Sequence, residues 1–115
     1  MFTGAIAAMV ETGMLVPADD YVRARRVRRK YQREMLRLFE KFDVLMTPAA
    51  PGTAPTPETT GDPVMNGPWT LADFPTMTVP HAKGANGLPI GVQLSAAPMQ
   101  EGLLLAVART IESLL

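Results

Sequence analysis

Hydrophobic positions recur at helical spacing from the first residues of the chain. Phe2, Ile6, Met9 and Val10 share one helical face and Gly13 stands where a helix-ending glycine would, so the pattern predicts a short core helix over residues 2–12. A second, longer helix is predicted over 17–41. Pro17 suits the first helical position, Asp19 and Asp20 favour the positive end of the dipole, and Lys41 suits the negative end. At about 100° per residue, Tyr21, Ala24, Arg28, Tyr31, Met35, Leu38 and Phe42 fall on one stripe and are expected to face the core. Arg23, Arg26, Lys30, Arg33 and Arg37 line the opposite side. Asp43 ends this helix, and Val44 to Thr47 read as a short strand stopped by Pro48.

The period then disappears. Six prolines lie from Pro48 to Pro68, with several threonines and almost no aliphatic residues, which is loop composition. Trp69 to Asp73 is expected to make a single helical turn before Pro75. Alternation returns in Thr76 to Val79 and in Ile90 to Leu94, two half-buried strands, with Asn86-Gly87 between them favouring a hairpin turn. A last helix over about 99–115 places Leu104, Val107, Ala108, Ile111 and Leu115 on one face. The order α, α, β, loop, β, β, α is an α/β reading with three strands and three to four helices. A sheet this small has exposed edges if it stands alone. The chain has no internal repeat.

Composition changes this picture little. The formal net charge is zero and hydrophobic residues make up 47%, so bulk electrostatics do not favour nucleic acid, an acidic membrane or a charged substrate. Locally the balance differs, because nine of the 11 basic side chains lie between Arg23 and Lys41. Such a run can neutralise phosphates. It also suits the solvated face of an amphipathic helix, braced by the four-apart pairs Asp19–Arg23 and Lys30–Glu34. The second reading is preferred, because no aromatic residue is interleaved on the basic side. Arg28 stands apart within the apolar stripe, and its charge is expected to meet a carboxylate or carbonyls of a neighbouring element. With no cysteine there is neither a disulfide framework nor a thiolate site. The apolar run Ala5 to Val10 lacks a basic leader and is cut by Glu11, so it is read as part of a core helix, not a signal peptide. No stretch approaches the ~20 apolar residues that span a bilayer. One domain and a cytoplasmic location are the expectations.

Candidate chemistry is sparse. His81 is the sole histidine, and carboxylates are scattered singly, so no metal site is expected. Ser95 and Ser113 are the only serines, and neither sits in a nucleophile-elbow sequence. Lys30 and Lys41 fall on an exposed helix face and Lys83 in a glycine-containing loop, where none is desolvated as a catalytic base would be. His81 is read as a loop side chain. No catalytic residue, metal or cofactor is assigned to the chain.

The segment Thr60 to Leu94, with the strand Asp43-Val44-Leu45-Met46-Thr47-Pro48 before it and Pro98, Glu101, Leu104 and Leu105 opening the last helix, resembles the closing part of the amidase signature family of amide hydrolases. The resemblance covers nearly the whole chain. It implies that residues 1–115 form a C-terminal segment of that α/β fold, a mixed sheet with flanking helices, and not a complete catalytic domain. Complete members cleave or transfer carboxamide groups with a Ser-Ser-Lys triad, which would lie outside this chain. The implied partners are the N-terminal part of the fold and a small amide substrate, with no nucleic acid, no membrane and possible homo-oligomers. In the family the loop between the Asp-Val-Leu-x-Thr-Pro strand and the Gly-x-Pro strand borders the substrate cavity, which makes Asp62, Asn66 and Trp69 candidate substrate-binding residues. The alternative is that Asp62 and Asn66 cap turns and Trp69 belongs to the core. His81-Ala82 departs from the family's usual small or Cys-Gly residues, and Asp73 stands where glycine is common. Two other readings stay open: a free-standing module for oligomerisation or for contact with another subunit and, more weakly, nucleic-acid binding through the arginine-rich helix.

Overall fold

In the computed structural model, which describes residues 4–114, helical periodicity produces α1 (Gly4–Met14) and α2 (Ala18–Leu36). Pro17 precedes α2 as its cap, Asp19 and Asp20 occupy the first turn, and Arg33 lies in the last. These charges oppose the ends of the helix dipole. The last turn then tightens into a 3-10 helix, Arg37–Glu40, which brings the chain to the first strand, β1 (Val44–Pro48). After the proline-rich loop come a 3-10 turn, Pro63–Met65, and the short helix α3 (Gly67–Ala72), followed by β2 (Thr76–Lys83), β3 (Pro89–Ala96) and α4 (Glu101–Glu112). Phe2 and Leu115, assigned above to helical core faces, lie outside the described residues.

The strands form one antiparallel sheet in the order β1-β3-β2. Val44 to Pro48 pair with Ala96 to Val92, and Thr76 to Lys83 pair with Ser95 to Pro89. The Asn86-Gly87 hairpin is present. Gly87 takes a φ of 79°, where a residue without Cβ avoids a steric penalty. β2 is longer than its alternation predicted. It continues through Pro80, with a register irregularity between Pro80 and Ala82, so His81 is an exposed strand residue at a bulge and Lys83 is the last residue of the strand. Proline is tolerated there because β2 is an edge strand whose outer side needs no ladder donor.

The two faces of the sheet bury different things. On one, Val79, Leu94 and Ala96 pack with Leu104 and Ala108 of α4, and Val44, Met77, Val107 and Ile111 complete the cluster. On the other, Trp69 and Ala72 of α3 and the following Phe74 form a second cluster with Tyr31, Met35, Phe39 and Leu45. Phe39 and Phe74 meet edge to face at 5.5 Å between ring centres, the arrangement that aromatic quadrupoles favour.

The stripe drawn along α2 holds only in its second half. Arg28, Tyr31, Gln32, Met35 and, beyond the helix end, Phe39 are half-buried. Tyr21, expected in the core, is 56% exposed, and Leu38 and Phe42 are exposed too. A helical wheel gives direction but not the length of what packs against it, and α3 is only six residues long. Tyr21 is instead covered by Arg25, whose guanidinium lies 6.0 Å from the ring centre and donates to the Tyr21 hydroxyl at 3.3 Å. The expected four-apart ion pairs are replaced by exposed three-apart ones, Asp20–Arg23 at 3.6 Å and Glu34–Arg37 at 2.8 Å. The short core helix expected at the start is not core within this chain, since the large apolar side chains of α1 are all exposed.

Arg28 takes the exceptional position its place in the stripe suggested. Its Nε donates to the Leu71 carbonyl at 2.7 Å, and its guanidinium pairs with the Asp73 carboxylate. Its side chain is 29% exposed and that of Asp73 65%, so solvent screens part of the pair. Arg28→Ala is therefore expected to cost about 1–3 kcal/mol, the range for a charge-assisted hydrogen bond. Arg26→Ala and Arg33→Ala should stay within about 0.5 kcal/mol. Urea melts of the three variants check this, and equal effects would contradict the asymmetry.

Candidate functional site

The loop from Ala49 to Asn66 lies over the sheet face opposite α4 and is fixed there by residues of the β2–β3 hairpin. Gly91, Gln93 and Ser95 share that face, because alternate residues of a strand point the same way. At Gly91 the start of the loop continues the pairing of β1 with β3. Ala49 N–H donates to the Gly91 carbonyl at 3.0 Å, and a Cβ on Gly91 would stand 2.5 Å from Thr78 Cγ2 and 3.4 Å from Ala49 Cβ. Further along the loop, Asn86 in the hairpin turn donates from its amide to Thr53 Oγ1 at 2.9 Å. The third tie is Gln93. Its side-chain Nε2 donates to the Met65 carbonyl at 3.1 Å and to Thr47 Oγ1 at 3.4 Å, and the residue is buried. A buried amide needs such partners, and here they come from the loop itself and the strand that leads into it.

The last of these ties, at Met65, falls within the segment that carries the candidate residues. Asp62 caps the 3-10 turn, its Oδ1 accepting from Val64 N–H at 2.9 Å. Asn66 ends that turn and precedes α3, where its backbone carbonyl accepts from Thr70 N–H at 3.1 Å. Its side chain borders an open depression of about 500 Å³ lined by Arg28, Pro63, Asn66, Gly67, Thr70 and Leu71. Trp69 points the other way and is buried at 6% exposure in the second cluster. Of the three residues, then, Asn66 borders the depression, Asp62 caps the adjoining turn and Trp69 forms the floor on which α3 rests.

Asp73 ends α3 in the left-handed region, with φ at 58° and ψ at 38°. Glycine adopts this conformation without strain, and Asp is among the few side chains that tolerate it. Two neighbours hold it in place: Arg28 pairs with its carboxylate, and Gln32 Nε2 donates to the Ala72 carbonyl at 3.0 Å and to Asp73 Oδ2 at 3.4 Å. The position flagged by its departure from the family's glycine is thus the backbone reversal that ends the candidate segment.

The titratable and nucleophilic groups do not converge. Ser95 is fully buried, and its Oγ is a buried side-chain polar atom without a hydrogen-bond partner. It is paired with Thr76 at one end of the β2–β3 ladder, while Lys83 is paired with Pro89 at the other. Ser113 ends α4, with its hydroxyl donating to the Thr110 carbonyl at 2.7 Å. Thr56 hydrogen-bonds Glu58 and holds its carboxyl below the usual range, but Glu58 is fully exposed on the loop. Among the described residues, no cluster of three or more His, Cys, Asp or Glu side chains is placed to hold a metal ion. No described helix is long and apolar enough to cross a membrane. Sequence reasoning missed Gln93, Gly91 and Thr47 as site-forming residues. The polar positions of β3 alternate as on any half-exposed strand, and nothing local marks that a loop covers them.

Comparison with known proteins places this geometry. The family model described as Amidase matches residues 4–105. A glutamyl-tRNA(Gln) amidotransferase subunit of Synechococcus sp. (strain RCC307) is 42% identical over 100 residues, which cover 80% of this chain and 21% of the relative. AtzE of Pseudomonas sp. (strain ADP), one subunit of a 1-carboxybiuret hydrolase, is 36% identical over 115 residues, covering 88% of this chain and 25% of the relative. The chain thus spans about a fifth to a quarter of the length of these curated relatives. Among solved structures, an inhibitor-bound vestigial protein complex, described as revealing the evolutionary origins of an s-triazine catabolic enzyme, matches 97% of this chain and 28% of its own, at 34% identity and a TM-score of 0.84. A crystal structure described as an amidase matches 99% of this chain and 29% of its own, at 25% identity and a TM-score of 0.88.

Proposed function

Because the chain belongs to the amidase family, we propose that it is the C-terminal segment of an amidase-type hydrolase acting on carboxamide C–N bonds, in which it builds sheet core and one wall of the substrate pocket. The Ser-Ser-Lys machinery of such an enzyme lies in the larger remainder of the fold, and no metal or cofactor enters the reaction. The observation that carries this reading is the fit of nearly all of this chain, α1 to α4 in order, onto a minor part of much longer amidase chains. Substrate contacts are assigned to the segment from Asp62 to Trp69. Asp62 and Asn66 present polar groups at its surface, and Trp69 supports it from below through packing. Arg28, Thr70 and Asn66 give the adjoining depression a polar rim over apolar Pro63 and Leu71, the composition of a small-molecule wall.

Replacing the matched segment of the Pseudomonas AtzE protein with this chain tests the reading. The chimera is expected to fold and to retain carboxamide hydrolysis; a folded chimera without turnover of that protein's substrate would contradict it. Asp62→Asn in the same chimera isolates charge from shape, since asparagine caps a helical turn as well as aspartate does. Turnover of amides that carry an amino group should fall, while that of neutral amides should not. A uniform loss of melting temperature with unchanged substrate ranking would leave Asp62 with a capping role alone.

A further inference from the structure

The chain is more extended than its length requires. A self-contained globule of 115 residues has a radius of gyration of roughly 13 Å, whereas this one measures 17.1 Å, with extents of 49 × 39 × 22 Å. α1 accounts for much of the excess apolar surface. Its Ile6, Met9, Val10 and Met14 fall on one stripe of the helix, with relative exposures of 45%, 74%, 53% and 80%. Leu15 and Val16 extend it to the start of α2 at 80% and 49%. Among the described residues of α1, only Ala7 is even half-buried. An apolar stripe of this size in water is unfavourable unless something covers it.

We propose that the stripe Ile6–Met9–Val10–Met14 is the docking surface for the part of the amidase fold that this chain does not contain. The inference rests on the reading given under Proposed function and specifies which surface makes the junction. The two solved structures match 97% and 99% of this chain with TM-scores of 0.84 and 0.88, so nearly all of this open arrangement recurs in chains more than three times as long. Those chains carry more than twice this length of additional polypeptide, which is available to cover what this chain leaves open. A lipid surface fits poorly, because α1 carries no Lys or Arg and its only charged residue is Glu11, whereas interfacial helices present basic residues beside their apolar face. A second copy of the chain has no comparable argument and enters as an outcome of the test.

The experiment uses aspartates on and off the stripe in the chimera described above. Met9→Asp and Val10→Asp place a charge in the junction, and Ala8→Asp places the same charge on the opposite side of α1 at a larger cost in helix propensity, which makes it a stringent control. The stripe variants are expected to lower the chimera's melting temperature by several degrees or to abolish soluble expression, with Ala8→Asp close to the parent chimera. Equal effects of all three, or none, would overturn the assignment of the stripe. Failure of the parent chimera to fold would instead count against the family role on which the inference rests. Sedimentation of the unmodified chain supplies the second measurement. A concentration-dependent dimer abolished by Met9→Asp would make a second copy the occupant and overturn the proposal, whereas a monomer unchanged by the substitution supports it.

Discussion

Purified by itself, the chain is expected to hydrolyse no aryl or alkyl carboxamide above the buffer rate. The reason is structural as well as compositional. Ser95 Oγ is shut inside the molecule at 0% exposure, so no substrate carbonyl reaches it. The nearest residues that could act as a base in the same hairpin are far away. Lys83 is six ladder positions from Ser95, roughly 20 Å along a strand, and His81 is exposed at the bulge between them. Ser113 is accessible, but its hydroxyl donates to the Thr110 carbonyl of its own helix, which is not a base. Removing a serine nucleophile from an enzyme costs on the order of 10⁶-fold in rate, as the subtilisin series demonstrates, and proximity effects do not replace it. Release of ammonia or amine from simple amides is the measurement. Turnover that disappears in Ser95→Ala or Ser113→Ala would refute the expectation.

Trp69→Ala should cost about 3–5 kcal/mol, the largest stability loss of any single truncation in the chain. Trp69 is one of three buried residues in the cluster under α2, and the others, Ala72 and Phe74, follow it in the same short segment. Without the indole, α3 loses its seat and the cluster beneath α2 loses its largest buried side chain. A loss of that size approaches the whole stability of a small domain. Urea unfolding followed by helical circular dichroism is the check, with Trp69→Phe as the volume-retaining control. A cost below about 1 kcal/mol would mean that the second cluster does not hold α2. The same result bears on function: substrate effects of Trp69 variants in a complete enzyme must be separated from unfolding before they are assigned to contact.

Much of this architecture is legible in the residues, and what is not has identifiable causes. The order of elements, the hairpin at Asn86-Gly87 and the buried face of α4 follow from short-range period and turn chemistry, which report on a residue's own element. Arg28 is legible for the same reason, as a charge in an apolar stripe demands a partner. Tyr21 and α1 are misplaced by the same rule, because the period of a helix says that a face is apolar without saying whether this chain supplies the cover. β2 outruns the Thr76–Val79 alternation because Pro80 lies on an edge strand, whose outer side needs no ladder donor. Gln93 is legible only once the loop is in place. Its partner, Met65, is 28 residues distant, and no local pattern anticipates a contact between a strand amide and a loop carbonyl. For Asp62, Asn66 and Trp69, sequence left capping or core against pocket. The geometry displays the cap at Asp62 and the core at Trp69, and it leaves the Asn66 side chain at the edge of an open depression.

The alternation of β3 makes that strand unforgiving of misalignment. Leu94 and Ala96 belong beneath α4, Gln93 and Ser95 are buried on the opposite face where the loop is tied to Gln93, and at Gly91 a Cβ would stand 2.5 Å from Thr78 Cγ2 of the neighbouring strand. A slip of one residue exchanges the faces. It would drive an amide and a hydroxyl into the aliphatic layer and present leucine to the Met65 carbonyl. Both sides would object at once, so the sheet discriminates against its nearest wrong pairing without any turn residue having to enforce it. The long proline-rich segment, which has almost no regular structure of its own, inherits its placement from this selectivity. A surface built from irregular chain can therefore be held to the tolerance of a strand.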